Sequence, residues 1–302
     1  MRISSWTKGL VFGIMFMLCF IAIYVPATAQ TTIVTNDPVP KNIFDLHSYI
    51  DITWRNGTNE PLEPGGSPRI ITLDIRYGIT RGVFGQFILS YYMFTQQYIT
   101  VSLELEDIPR WCTASLLNSQ LWFRITDTPS GQSTTLAVAV DETAPAFEPF
   151  SIKLHASVDD VRGPFGILRI IQGYENTFSM SFIADYFPRI VVTPDSNYIE
   201  TKPGAEVVSP ISVKNLGNGD TMVFASIMTC PDGWLLVITD QVELAVNENK
   251  SMQLYITPPR VINTVETIVL QFTPHYHENY NKKGEPVYIS ISVHVKLSDA
   301  YT

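Results

Sequence analysis

Apolar and polar residues alternate through much of the chain. Thr177-Phe178-Ser179-Met180-Ser181-Phe182 is a strict period-2 run, as is Tyr288-Ile289-Ser290-Ile291-Ser292-Val293-His294-Val295. Partial alternation marks residues 70–75, 99–105 and 151–156. Successive side chains of a strand point to opposite faces, so each run places its apolar residues on one side. That is the pattern of antiparallel strands packed on one face. Pro, Gly, Asn and Asp separate the runs at strand-plus-turn intervals, as in sandwiches. No long window repeats apolar residues at a helical period. The pattern predicts an all-β fold.

The first residues depart from it. Arg2 and Lys8 precede an unbroken apolar run over residues 10–25. Pro26 ends the run, and Ala27-Thr28-Ala29 follows as an A-x-A site. This is the three-part layout of a secretory signal peptide. The run is shorter than the roughly 20 residues a span needs, and the A-x-A site favours cleavage over a retained anchor. Residues 1–29 are therefore read as a signal peptide, with the rest exported to the extracellular space or cell envelope. Cys19 lies among Met17, Leu18 and Phe20, without the small residues a lipidation site wants. No later stretch is apolar enough to span a membrane.

Composition narrows the class. Of 302 residues, 45% are hydrophobic and 12% aromatic, which suits a packed core and not a disordered chain. Twenty prolines argue against a helical bundle. The net charge of −9 argues against a nucleic-acid binder, which needs a basic face. Removing the leader takes away Arg2 and Lys8 and makes the mature chain more acidic still. Cys112 and Cys230 fall far apart in sequence and are read as small buried apolar residues, not as a disulfide.

Residues 190–296 carry the most recognisable order. Ile190-Val191-Val192-Thr193-Pro194 opens it, and Pro203-Gly204 follows. Val213-Lys214-Asn215-Leu216-Gly217-Asn218-Gly219-Asp220, Pro231-Asp232-Gly233-Trp234 and Tyr255-Ile256-Thr257-Pro258-Pro259 complete it. This order resembles the Ig-like modules of the cell-adhesion-related (CARDB) type found in prokaryotic surface proteins. The resemblance implies an Ig-like sandwich. The earlier region reads as a longer, divergent copy, with Pro64-Gly65-Gly66 and Pro109-Arg110-Trp111 in matching places. The expected organisation is two tandem Ig-like antiparallel β-sandwich domains. A short segment, 30–35, precedes residues 36–189, which carry insertions near 78–98 and 159–176. Residues 190–302 form the second domain. The boundary at Tyr186-Phe187-Pro188-Arg189 has no Gly or Ser, so the domains are expected to be held close.

Candidate chemistry is sparse. There is no G-x-S-x-G, no H-E-x-x-H and no phosphate-binding glycine loop, and the chain is read as a non-enzyme without cofactors. His275 and His277 are one residue apart and are the candidate metal ligands, although a zinc site needs three or four. Asp141-Glu142, Asp159-Asp160 and the set Asn215, Asn218 and Asp220 are oxygen-rich, and turn chemistry accounts for them more simply than calcium. Trp54, Tyr91, Tyr92 and Trp122 are candidate sugar-stacking groups, whereas Trp111 and Trp234 are assigned to cores. Trp122 alternates with Leu121 and Phe123 and is expected to be covered between domains. Asn56-Gly57-Thr58 and Asn249-Lys250-Ser251 are candidate glycosylation sites in turns. The reading that results is an exported, non-catalytic structural or adhesive protein. Its partners would be other surface or extracellular proteins, or a second copy joined through edge strands. A carbohydrate-binding accessory module is the alternative, and a metal protein or hydrolase built around His275 and His277 the third.

Overall fold

The computed structural model describes residues 46–55, 60–82, 85–163, 169–260 and 263–296. The predicted leader and the short segment after it lie outside these residues. The described chain belongs to one compact unit, Lys41–Thr302. Its strands stack in two pairs of sheets, each pair around its own core. Among the described residues, no helix is long and apolar enough to cross a membrane.

In the first pair, β1 (Leu46–Arg55), β2 (Arg69–Arg81), β6 (Ser130–Val140) and β4 (Cys112–Leu116) form one antiparallel sheet in that order. The facing sheet runs β10 (Tyr174–Ile183), β7 (Pro149–Val158), β3 (Tyr98–Glu106) and β5 (Gln120–Arg124). Alternation turns Ile71, Leu73 and Ile75 of β2 toward Val101 of β3 and Ile152 and Leu154 of β7, and all are buried. In the second pair, β11 (Ile190–Pro194), β13 (Val207–Asn215), β17 (Asn249–Thr257) and β15 (Leu235–Ile238) form one sheet. The facing sheet runs β12 (Tyr198–Thr201), β20 (Val287–Val295), β18 (Thr264–Tyr276), β14 (Thr221–Thr229) and β16 (Gln241–Leu244). β12 lies parallel to β20, and β19 (Asn279–Lys283) pairs with the end of β18.

The two pairs share one strand order. Match β1 with β11, β2 with β13, β3 with β14 and so on to β7 with β18, then β10 with β20, and both sheets of one half superpose in order on those of the other. The turns before β2 and β13 repeat as well. Glu63 and Lys202 accept from the amides of Gly66 and Ala205, proline follows each acceptor, and Gly65 and Gly204 both have φ of 69°. That is a type II turn, in which the third position needs φ > 0 and so favours glycine. The carbonyls of Pro109 and Pro231 likewise close the turns that lead into β4 and β15.

Two segments that are absent from the second half's strand plan meet each other in the first half. One carries α1 (Gly85–Phe94), between β2 and β3. The other carries the small hairpin β8 (Val161–Arg162) and β9 (Arg169–Ile171). Leu89, Ile170 and Ile171 pack with Leu46 and Ile125 into a third core. The helix was not expected from the pattern. Its inner face is apolar because it seats on this core, and its outer face is apolar too, so no 3.6-residue contrast marks it.

Side-chain and backbone hydrogen bonds tie the two halves together at the turn after β13. Asn218 is buried there. Its amide nitrogen donates to the carbonyls of Ala144, at 2.7 Å, and Asp185, at 2.8 Å. Its Oδ1 accepts from the Phe187 amide at 2.6 Å, and its own carbonyl accepts from Ala146 at 3.1 Å. Asn215, fully buried, holds the turn in shape: it donates to Gly219 O and accepts from Gly217 N, each at 2.9 Å. A Cβ on Gly217 would stand 2.5 Å from Phe187 O, so only glycine lets the backbones approach this closely. The Tyr186 and Thr221 hydroxyls meet at 2.8 Å in the same buried layer. The Tyr276 ring packs on Tyr186 and Phe147, at 5.2 and 5.0 Å between centroids. Ion pairs Arg189–Glu142 and Lys282–Asp185, both at 2.9 Å, rim this layer. They are solvent-exposed to a large degree and contribute little.

Truncating Asn218 removes the side-chain partner of the Phe187 amide, the buried Ala144 carbonyl and the part-buried Asp185 carbonyl. Such orphaned groups cost about 1–3 kcal/mol each before water re-enters. Asn218→Ala is therefore expected to lower the unfolding free energy in urea by roughly 2–4 kcal/mol.

Candidate functional site

The two candidate metal ligands have separate surroundings. His275 is in β18, where Nδ1 lies 2.7 Å from Tyr280 O and the ring meets Phe224 edge-on at 5.0 Å. His277 follows the end of β18, with Nδ1 3.3 Å from Glu243 Oε1. β18 ends at Tyr276, so His277 lies outside the strand in which a one-residue spacing would set a common side. Among the described residues, no group of three His, Cys, Asp or Glu side chains comes together to hold a metal.

The oxygen-rich loops are occupied by their own structure. Asp141 Oδ1 accepts from the Thr143 amide, at 2.7 Å, and hydroxyl, at 2.6 Å. Asp160 accepts from Gly173 N at 2.8 Å and pairs with Arg169 at 2.9 Å. Asn215 and Asn218 turn their amide nitrogens, not only their oxygens, into the turn and the joint. These are turn and packing roles.

The four candidate stacking groups are spread over three elements. Trp54 is half-buried on β1 against the first core. Trp122 stands on β5 in the facing sheet and is 61% exposed. The expected interdomain cover for Trp122 is not found. β5 ends its sheet, and the joint is built instead from residues around Ala144 and Asp185. Tyr91 is exposed on α1, while Tyr92 is half-buried against the third core, and their rings meet at 88°. Trp111 and Trp234 take the expected core positions, Trp111 edge-on to Phe150 at 4.6 Å and Trp234 in the second core.

Asn56 lies outside the described residues. Asn249 is exposed, but it opens β17 and accepts a 2.7 Å hydrogen bond from Ser212 Oγ. The turn proper is one step earlier, where Asn247 takes φ of 66° and the Glu248 amide bonds Ala245 O.

One surface stands out that the alternation did not single out. Val208 of β13 is in register with Tyr255 of β17, which is in register with Val237 of β15. All three are exposed on the outer face of their sheet, and Leu235 on β15 is 64% exposed beside them. β15 ends the sheet, so the row reaches an open strand edge. The signal was present in Leu235-Leu236-Val237-Ile238. A short strand that is apolar at both phases has no polar face, and either a second layer or a partner must cover it.

No protein-family model matches this chain, and no curated protein matches it. Among solved structures, a protein of unknown function from Porphyromonas gingivalis W83 is 11% identical and has a TM-score of 0.26, the alignment covering 81% of this chain and 99% of that one. The YadV chaperone is 10% identical with a TM-score of 0.25, covering 79% of this chain and 100% of its own. At these scores neither says what this chain does.

The cysteines are both free, and they differ. Cys112 is buried as expected, and burial, with a smaller push from Asp141, raises its thiol from 9.0 to about 11. Cys230 is exposed, contrary to the expectation, because it lies past the β14 bulge where the strand has left the sheet core. Of these two, a maleimide at neutral pH is expected to modify Cys230 in the native protein and Cys112 only after unfolding. The Cys112 shift also has a sign. Its contribution to stability is present below the unfolded value of 9.0 and is lost as pH rises toward 11, because the unfolded thiol ionises first. Urea midpoints measured across that interval should fall less steeply for Cys112→Ala than for the wild type.

Proposed function

We propose that this chain is an exported, non-catalytic structural or adhesive protein that associates with another protein through the sheet β11-β13-β17-β15. The observation that carries the proposal is the exposed row Val208, Tyr255 and Val237, with Leu235, running to the open edge of β15. An open edge offers unpaired backbone N–H and C=O groups to a partner strand, and flanking apolar side chains add buried area. The leader-like first residues and the resemblance of residues 190–296 to CARDB-type modules support an extracellular or envelope setting. The partner that fits most simply is a second copy. Two β15 strands related by a twofold axis pair antiparallel, and each supplies the same apolar row to the other.

Light scattering on the chain from Gln30 onward tests this. The expected result is a concentration-dependent dimer that Leu235→Lys with Val237→Lys shifts to monomer at unchanged thermal midpoint. A wild-type chain that stays monomeric and captures no envelope protein, or a double variant that associates equally well, would contradict it.

A further inference from the structure

The outer face of α1 is an exposed aromatic surface. Phe87, Tyr91 and Phe94 recur at helical spacing, i, i+4 and i+7, and so share one face. Phe87 is 80% exposed, Phe94 79% and Tyr91 47%. The opposite face, with Leu89 buried and Ile88, Tyr92 and Met93 half-buried, fastens the helix to the third core. The helix is thus rigidly seated with its aromatic side turned out.

Its surroundings are unusual in charge. No Asp, Glu, Lys or Arg occurs between Arg81 and Glu104. Surface helices of a water-soluble domain normally carry a charged outer face, and this one carries none. Two further exposed aromatics belong to the adjoining strands, Tyr98 on β3 and Trp122 on β5, and they are diagonal neighbours. Arg124 lies opposite Tyr98. Aromatic side chains with arginine at the margin suit the boundary between lipid headgroups and acyl chains.

The start of β1 is tied to the same wall. Leu46, the first described residue, is buried in the core that seats α1. Its carbonyl accepts from Gln172 N, and Ser48 N donates to Gln172 O, each at 2.9 Å, so the second insertion clasps the start of β1. β1 therefore begins at the wall that carries α1. The corresponding connection in the second half, between β13 and β14, has neither helix nor aromatic face.

We infer that α1 is a membrane-resting element: Phe87, Tyr91 and Phe94 enter the interface of a lipid bilayer and orient the sandwiches on it. This goes beyond the strand-edge association proposed above and uses a different surface, so either can fail without the other.

The test is co-flotation with phosphatidylcholine vesicles, which carry no net charge and report the apolar contribution. The chain from Gln30 onward retains all of the compact unit Lys41–Thr302 with its three cores and lacks the apolar run, so binding cannot come from that run. The wild type is expected to float with the vesicles, and Phe87→Ser/Tyr91→Ser/Phe94→Ser to lose at least about tenfold in partitioning at an unchanged thermal midpoint. If the triple variant does not fold, Phe87→Glu alone makes the same test, with a loss of at least about tenfold expected for a charge placed at the interface. A wild-type chain that remains with the unbound fraction overturns the inference. So does equal flotation of a folded variant, or a variant whose only change is loss of self-association in light scattering.

Discussion

The Asn218 carboxamide bonds backbone groups at Ala144, Asp185 and Phe187, and the arrangement of the two sheet pairs depends on it. The first two groups are carbonyls and the third is an amide, so the site needs a side chain that both donates and accepts in one plane. Aspartate offers no donor and leucine neither function. Asn215 shapes the turn that presents Asn218, and Gly217 lets that turn approach Phe187 O without a Cβ in the way. The joint is a polar network in a buried layer, where full satisfaction gives rigidity and partial satisfaction is costly. Ring contacts among Tyr186, Phe147 and Tyr276 pack beside it.

Around this joint the two halves are variations on one plan. Strand order is the same in both sheets, and the type II turns at Gly65 and Gly204 have the same φ. The halves differ where each meets its surroundings. The first half adds α1 and the β8–β9 hairpin, which build a third core beside the point where the chain begins its first strand. The second half adds β12 and leaves an apolar row at the free edge of β15. Shared architecture fills the cores, and the departures from it supply the exposed apolar surfaces.

The sequence made the strands legible because burial on one face writes itself as period 2. Ile71, Leu73 and Ile75 show it on β2, as do Ile291, Val293 and Val295 on β20. The turns were legible because φ > 0 needs glycine, and Pro64-Gly65 and Pro203-Gly204 state that need locally. Other features depend on which elements meet, which no local pattern records. Asn218 reads as a turn residue, yet its partners lie 31 to 74 positions away. Trp122 alternates as expected, but whether the outer face of β5 is covered depends on where the second half docks. Cys230 and Cys112 look alike in sequence and differ because one has passed a bulge and the other begins a strand. α1 escaped because two apolar faces cancel the periodicity that marks a helix.

Held by the Asn218 joint, the two sandwiches are expected to unfold as one cooperative structure. Calorimetry of the chain from Gln30 onward tests this most directly, by comparing the calorimetric with the van't Hoff enthalpy of unfolding. A single transition in which the two enthalpies agree is expected. Two resolved transitions, or a van't Hoff enthalpy about half the calorimetric one, would show that the halves unfold independently and would contradict it.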